Sequence, residues 1–105
     1  MQKAVANFIA EYNLNTDAQT RYIDLVSEIG ELGKEILTST DYGKNGFTPN
    51  PKMLDEIGDC LFSFFAMCHE MKIDAEGALN KSLSKYEQRF ADKGDVGSMY
   101  TEEWV

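Results

Sequence analysis

Apolar residues in this chain recur every three or four positions in four separate stretches, and clusters of turn-forming residues divide the stretches. Side chains that must meet a common core at that interval belong on one face of an α-helix, where about 3.6 residues complete a turn. Val5, Phe8, Ile9 and Tyr12 mark a first helix, running from Gln2 to the turn-prone run Asn13-Leu14-Asn15-Thr16. Thr16 or Asp17 can cap a second, long helix in which Tyr22, Leu25, Val26, Ile29, Leu32 and Ile36 recur at helical spacing through Leu37. Asn50 followed by Pro51 predicts the start of a third, whose apolar pattern runs from Met53 to Met71. Asp74 offers the last cap, after which Ala78, Leu79, Leu83, Tyr86 and Phe90 carry a fourth helix to Gly94. The connection from Thr38 to Asn50 holds Asp41, Gly43, Asn45, Gly46 and Pro49, so the chain turns there through a loop long enough to have a role of its own.

No segment alternates at period two and no internal repeat is present, which leaves an all-α, four-helix bundle-like fold. At 105 residues there is room for one domain, taken here as residues 1–105 with an irregular tail over about 93–105. With 43% hydrophobic residues it can bury a core, while a net charge of −8 opposes binding to nucleic-acid polymers and anionic membrane surfaces. The longest apolar run, Cys60 to Cys68, is broken by Ser63 and is far short of the ~20 residues that span a bilayer. The first residues lack the apolar region and small-residue cleavage site of a secretory signal, so a cytoplasmic location is expected. Cys60 and Cys68 lack CxxC spacing and read as two buried free thiols rather than a disulfide or zinc site.

The chemistry lies in two acidic pairs, Glu28 with Glu31 in the second helix and Glu56 with Asp59 in the third. Residues three apart are separated by only about 60° around a helix axis, so each pair projects from one face. Two antiparallel helices joined by the intervening loop can bring all four carboxylates together. Acidic residues on a solvated helix face are common, but Glu56 falls within the arc marked by Met53, Cys60 and Met67, which sends it inward. Clustered, partly buried carboxylates need cations or raised pKa values. Oxygen ligands with no neighbouring histidine or cysteine ligand favour Mg²⁺ or Mn²⁺ over Zn²⁺, and the only histidine, His69, is too far along the helix from Glu56 for the ExxH motif of di-iron bundles.

The segments Leu25-Val26-Ser27-Glu28-Ile29-Gly30-Glu31-Leu32 and Leu54-Asp55-Glu56-Ile57-Gly58-Asp59-Cys60-Leu61 resemble the all-α nucleoside triphosphate pyrophosphohydrolases of the MazG-like family. That signature is ExxE, a spacer and ExxD; here 24 residues separate Glu31 from Glu56, and the resemblance covers about residues 17 to 90. It implies that Glu28, Glu31, Glu56 and Asp59 form the catalytic site and bind Mg²⁺, or Mn²⁺, which holds the triphosphate of a nucleotide. Water then attacks the α-phosphorus of an NTP or dNTP, giving a monophosphate and pyrophosphate. An acidic protein with an anionic substrate is reconciled by the cation between them.

Lys85 and Arg89 are similar to the family's fourth-helix cations that approach substrate phosphates, although pairing with Glu87 or Asp92 explains them equally well. Lys34, Lys44 and Lys52 are weaker candidates. Ser27 stands where many family members carry a further glutamate. Glu35, one turn after Glu31, is either a substitute ligand or, by the more ordinary reading, an exposed helix-stabilising residue. Which carboxylate acts as general base is left open.

Leu61, Phe62, Phe64, Phe65, Ala66 and Met67 almost encircle the third helix, as if it were covered on several sides, and the family likewise builds its sites in oligomers. A homodimer or homotetramer is therefore expected, with Tyr22, Phe47 or Trp104 either stacking on a base or simply packing. Two other functions fit the same acids. One is phosphoribosyl-ATP pyrophosphohydrolysis; the other is a non-catalytic helical interaction module stabilised by a cation.

Overall fold

A computed structural model describes residues 1–93 of the chain. Four helices follow one another, α1 (Gln2–Glu11), α2 (Ala18–Ser39), α3 (Pro51–Met71) and α4 (Ala75–Lys93), and no strand occurs among the described residues. The fold is all-α, as the periodicity requires. Met1–Ile73 forms one compact unit and a second begins at Asp74. Of the expected irregular tail, Lys93 closes α4, while the positions from Gly94 on, including Tyr100 and Trp104, lie outside the described residues.

Short polar side chains start α2, α3 and α4, whereas α1 follows Met1 with no side-chain cap. Asp17, not Thr16, caps α2: its carboxylate accepts the Thr20 N–H at 2.7 Å, a bond that also holds the Asp17 pKa below its usual value. Asn50 caps α3 by accepting the Met53 N–H at 3.3 Å, with Pro51 in the first turn, where its missing N–H costs nothing. In the second unit, Asp74 Oδ1 accepts the Glu76 N–H at 3.2 Å.

The same backbone device ends α1, α2 and α3. Asn13, Asp41 and Lys72 adopt left-handed backbone, with φ of 55°, 48° and 59°. The next N–H then reaches back to an otherwise unpaired carbonyl: Leu14 to Ile9 at 2.9 Å, Tyr42 to Leu37 at 2.7 Å and Ile73 to Cys68 at 2.9 Å. These closures set the boundaries, so α1 stops two residues before Asn13 and α2 runs two residues past Leu37. Beyond α2 the positive-φ run continues through Tyr42 to Gly43 at 87°, a conformation glycine adopts without penalty.

Helix α3 is the centre of the first unit, with α1 and α2 both packed against it. Ile9 of α1 is fully buried, and Phe8 meets Phe62 edge to face with ring centroids 5.9 Å apart. Met53, Ala66 and Cys68 of α3 are buried with them. Three ties show that α2 and α3 run antiparallel. Near the loop, Asn50 Nδ2 donates to Glu35 Oε1 at 3.1 Å. Farther along, Glu28 meets Glu56 and Asp59. At the far end, Arg21 Nε lies 3.5 Å from Glu70 Oε2, which also accepts the Thr16 N–H at 3.2 Å. Positions falling along α2 thus meet positions rising along α3.

The far-end tie is nearly closed to water, the Arg21 and Glu70 side chains being 10% and 12% exposed, and Arg21 Nη2 donates to the Leu14 carbonyl. It fastens the α1–α2 connection to α3. Removing one partner of such a pair strands the other charge. Glu70→Gln is therefore expected to lower the unfolding free energy by about 2–3 kcal/mol, measured by urea denaturation at neutral pH; a loss below about 0.5 kcal/mol would show the pair to be incidental.

Candidate metal centre

Opposing positions on α2 and α3 carry the acidic pairs, and the antiparallel packing converts two local patterns into one cluster. A carboxylate oxygen from each of Glu28, Glu56 and Asp59 can be chosen so that all three lie within 4.8 Å of one another. Glu28 and Glu56 are half-buried and Asp59 is exposed, so the cluster opens to solvent on the Asp59 side. Glu31 is exposed and lies outside this triad, yet its charge is felt at Glu56. Glu56 shares its face of α3 with buried Met53 and half-buried Cys60 and Met67.

The electrostatics of this grouping are unfavourable without a counter-ion. Burial raises the Glu56 pKa above its usual 4.5, and the negative charges of Asp59, Glu31, Glu28 and Glu35 push it further the same way. The Cys60 thiol is raised too, first by burial and then by Glu28, Glu56 and Asp59. Among the described residues, the charges that act on Glu56 are all carboxylates.

A hard divalent cation fits this donor set. In an octahedral Mg²⁺ shell with ~2.1 Å bonds, neighbouring oxygens stand ~3.0 Å apart and opposite ones ~4.2 Å, so oxygens lying within 4.8 Å of one another close on the ion with up to about 2 Å of side-chain movement. Three carboxylates also neutralise a dication without nitrogen or sulfur ligands, the pattern that suits Mg²⁺ and Mn²⁺. His69 is half-buried near the end of α3, and both cysteines are free, Cys68 buried and Cys60 half-buried.

The remaining sequence candidates are placed as follows. Lys85 and Arg89 lie on α4 in the second unit and flank Tyr86, the ammonium 5.3 Å and the guanidinium carbon 5.9 Å from its ring centroid. Lys34, Lys44 and Lys52 are exposed, as are Tyr22 and Phe47, while Trp104 lies outside the described residues. Glu35 departs from its ordinary reading: it is half-buried and bonded to Asn50 rather than freely exposed. Its position seven residues after Glu28, on the same face, is the signal that points to it. Ser27, where a further glutamate is common, is exposed.

The model of the MazG nucleotide pyrophosphohydrolase domain matches residues 17–92, from the cap of α2 almost to the end of α4. The chain belongs to that family. Comparison with curated proteins and with solved structures gave no significant match. Family membership indicates nucleotide pyrophosphohydrolase activity, and the match spans both acidic pairs.

The raised Glu56 pKa gives a signed expectation. A carboxyl whose folded pKa exceeds its unfolded value near 4.5 favours the folded state below 4.5, and that contribution is lost as pH rises through the folded value. In EDTA, the melting temperature of the wild type should fall relative to that of Glu56→Gln as pH rises from about 4.5 toward neutrality, and saturating Mg²⁺ should remove the difference. Parallel profiles in thermal melts would remove the repulsion from consideration.

Proposed function

We propose that this chain hydrolyses nucleoside triphosphates, ribo or deoxy, at the α-phosphorus to a monophosphate and pyrophosphate, using Mg²⁺ or Mn²⁺ held by its acidic cluster. The convergence of Glu28, Glu56 and Asp59 carries this reading, because it gathers negative charge that a bound cation would offset. When bound, the cation supplies charge neutralisation for the triphosphate and acidifies a water molecule. Glu28, Glu56 and Asp59 hold it, and Glu31, one turn from Glu28, completes the acidic set. The half-buried flank of Glu56 strengthens each of these contacts by limiting competition from water. Solvent access at Asp59 leaves the substrate a way in. Lys85 and Arg89 are assigned to substrate phosphates; flanking Tyr86 fixes the two cations on one stretch of α4.

The working form is a homo-oligomer, a homodimer or homotetramer. Exposed apolar stripes support it: Tyr22, Val26, Ile29 and Ile36 along α2, and Leu54, Ile57, Leu61 and Phe64 along α3, each at least 38% exposed. Stripes at three- and four-residue spacing are faces made for another helix. Two free thiols and a nucleotide substrate fit the cytoplasm.

With Mg²⁺ and a panel of canonical, deoxy and modified nucleoside triphosphates, together with phosphoribosyl-ATP, the wild type should release pyrophosphate and EDTA should stop it. Glu56→Gln should lower kcat/KM at least ~100-fold while remaining folded; equal turnover would remove Glu56 from the site. A cation-stabilised protein that releases no pyrophosphate from any member of the panel would instead be an interaction module. Sedimentation should show an oligomer, and Leu61→Glu should shift it toward the monomer; a monomeric wild type would overturn the assembly.

A further inference from the structure

Near their connecting loop, α2 and α3 are joined by one side chain with two tasks. Asn50 Oδ1 accepts the Met53 N–H at 3.3 Å and so caps α3, while its Nδ2 donates to Glu35 Oε1 of α2 at 3.1 Å. Both Asn50 and Glu35 are half-buried. The cap alone does not call for asparagine, since aspartate and serine cap helices as well. The second bond narrows the choice: aspartate has no donor for a carboxylate and a serine hydroxyl would have to serve both partners from one shorter-reaching oxygen, whereas asparagine puts the acceptor and the donor on separate atoms.

Both ends of this link lie a short, stiff distance from the metal centre. On α3, Glu56 is one turn beyond Met53, which is buried and cannot shift freely. On α2, Glu35 is two turns beyond Glu28, about 10.5 Å along the same face. Sliding one helix by a residue displaces its carboxylates by about 1.5 Å, enough to spoil a coordination shell. We propose that Asn50 and Glu35 are positioning residues, a clasp that sets the register of α2 on α3 and thereby holds Glu28 opposite Glu56 and Asp59. This rests on the proposed cation site.

Charge and geometry make opposite demands, which allows a decisive test. Asn50→Asp keeps the cap but faces Glu35 with a second carboxylate. Its added negative charge should tighten cation binding by simple attraction; loss of the clasp should loosen it. Binding of Mn²⁺ alone, measured by electron paramagnetic resonance without nucleotide, should weaken about tenfold in N50D. The double variant N50D/E35Q has the wild-type net charge and restores the bond with its direction reversed, the glutamine amide donating. Its affinity should return to within about threefold of wild type, on the scale of such orienting partners.

Equal or tighter Mn²⁺ binding by N50D, or no recovery in the double variant, overturns the clasp. Should circular dichroism show that N50D has lost helicity, E35A and E35Q decide instead: they carry the same charge, but only glutamine still accepts from Asn50, so E35A should bind more weakly, and equal affinities overturn the proposal. Pyrophosphate release is scored separately. A chain that follows this Mn²⁺ pattern without releasing pyrophosphate keeps the clasp and loses the proposed activity, whereas an active chain whose Mn²⁺ affinity ignores the substitutions does the reverse.

Discussion

Mutual repulsion among carboxylates is the constraint around which the first unit is organised. Glu28, Glu56 and Asp59 are brought together from two helices, and Glu31 and Glu35 add their charges. Left to themselves these groups would drive α2 and α3 apart. The opposing force comes from elsewhere on the helices: the Arg21–Glu70 pair at one end, the Asn50–Glu35 bond at the other, and the apolar contacts of α1 with the back of α3. The acids therefore sit between two fastenings, where separation is resisted from both sides. Neither fastening draws on the carboxylates of the triad.

The unit does this with little interior. Its largest fully buried side chain is Ile9, and the apolar stripes on the outer faces of α2 and α3 remain open. Hydrophobic stabilisation grows with the area withdrawn from water, so covering those stripes would add to the adhesion between α2 and α3 as well as to any contact between subunits. Assembly and cation retention are coupled in this reading, because both act on the same pair of helices.

Much of this was legible in the residues alone. Three- and four-residue spacing identified four helices, and the cap at Asn50-Pro51 marked the start of α3. The two acidic pairs stood out because a three-residue interval is a local property of a helix. Glu35 was harder, since a lone glutamate on a helix is ordinary until its partner is known, and that partner lies 15 residues away across a loop. The closeness of Glu28 to both Glu56 and Asp59, with Glu31 outside the triad, depends on helix register, which no local pattern encodes. Lys72 gave no sign of its left-handed backbone, unlike Asn13 and Asp41, whose side chains tolerate it; the closure onto the Cys68 carbonyl imposes it. Arg21 carried no signal of its own within the amphipathic pattern of α2, because its partner Glu70 lies far along the chain on α3.

The three members of the triad belong to two consecutive helices of one hairpin, so no distant part of the chain has to arrive before they meet. Contacts between near neighbours along a polypeptide form with a small loss of chain entropy and tend to form early. Sequence separation thus sets no barrier to the hairpin forming before the rest of the molecule, and an ion captured at that stage would offset the repulsion and act as a seed for folding.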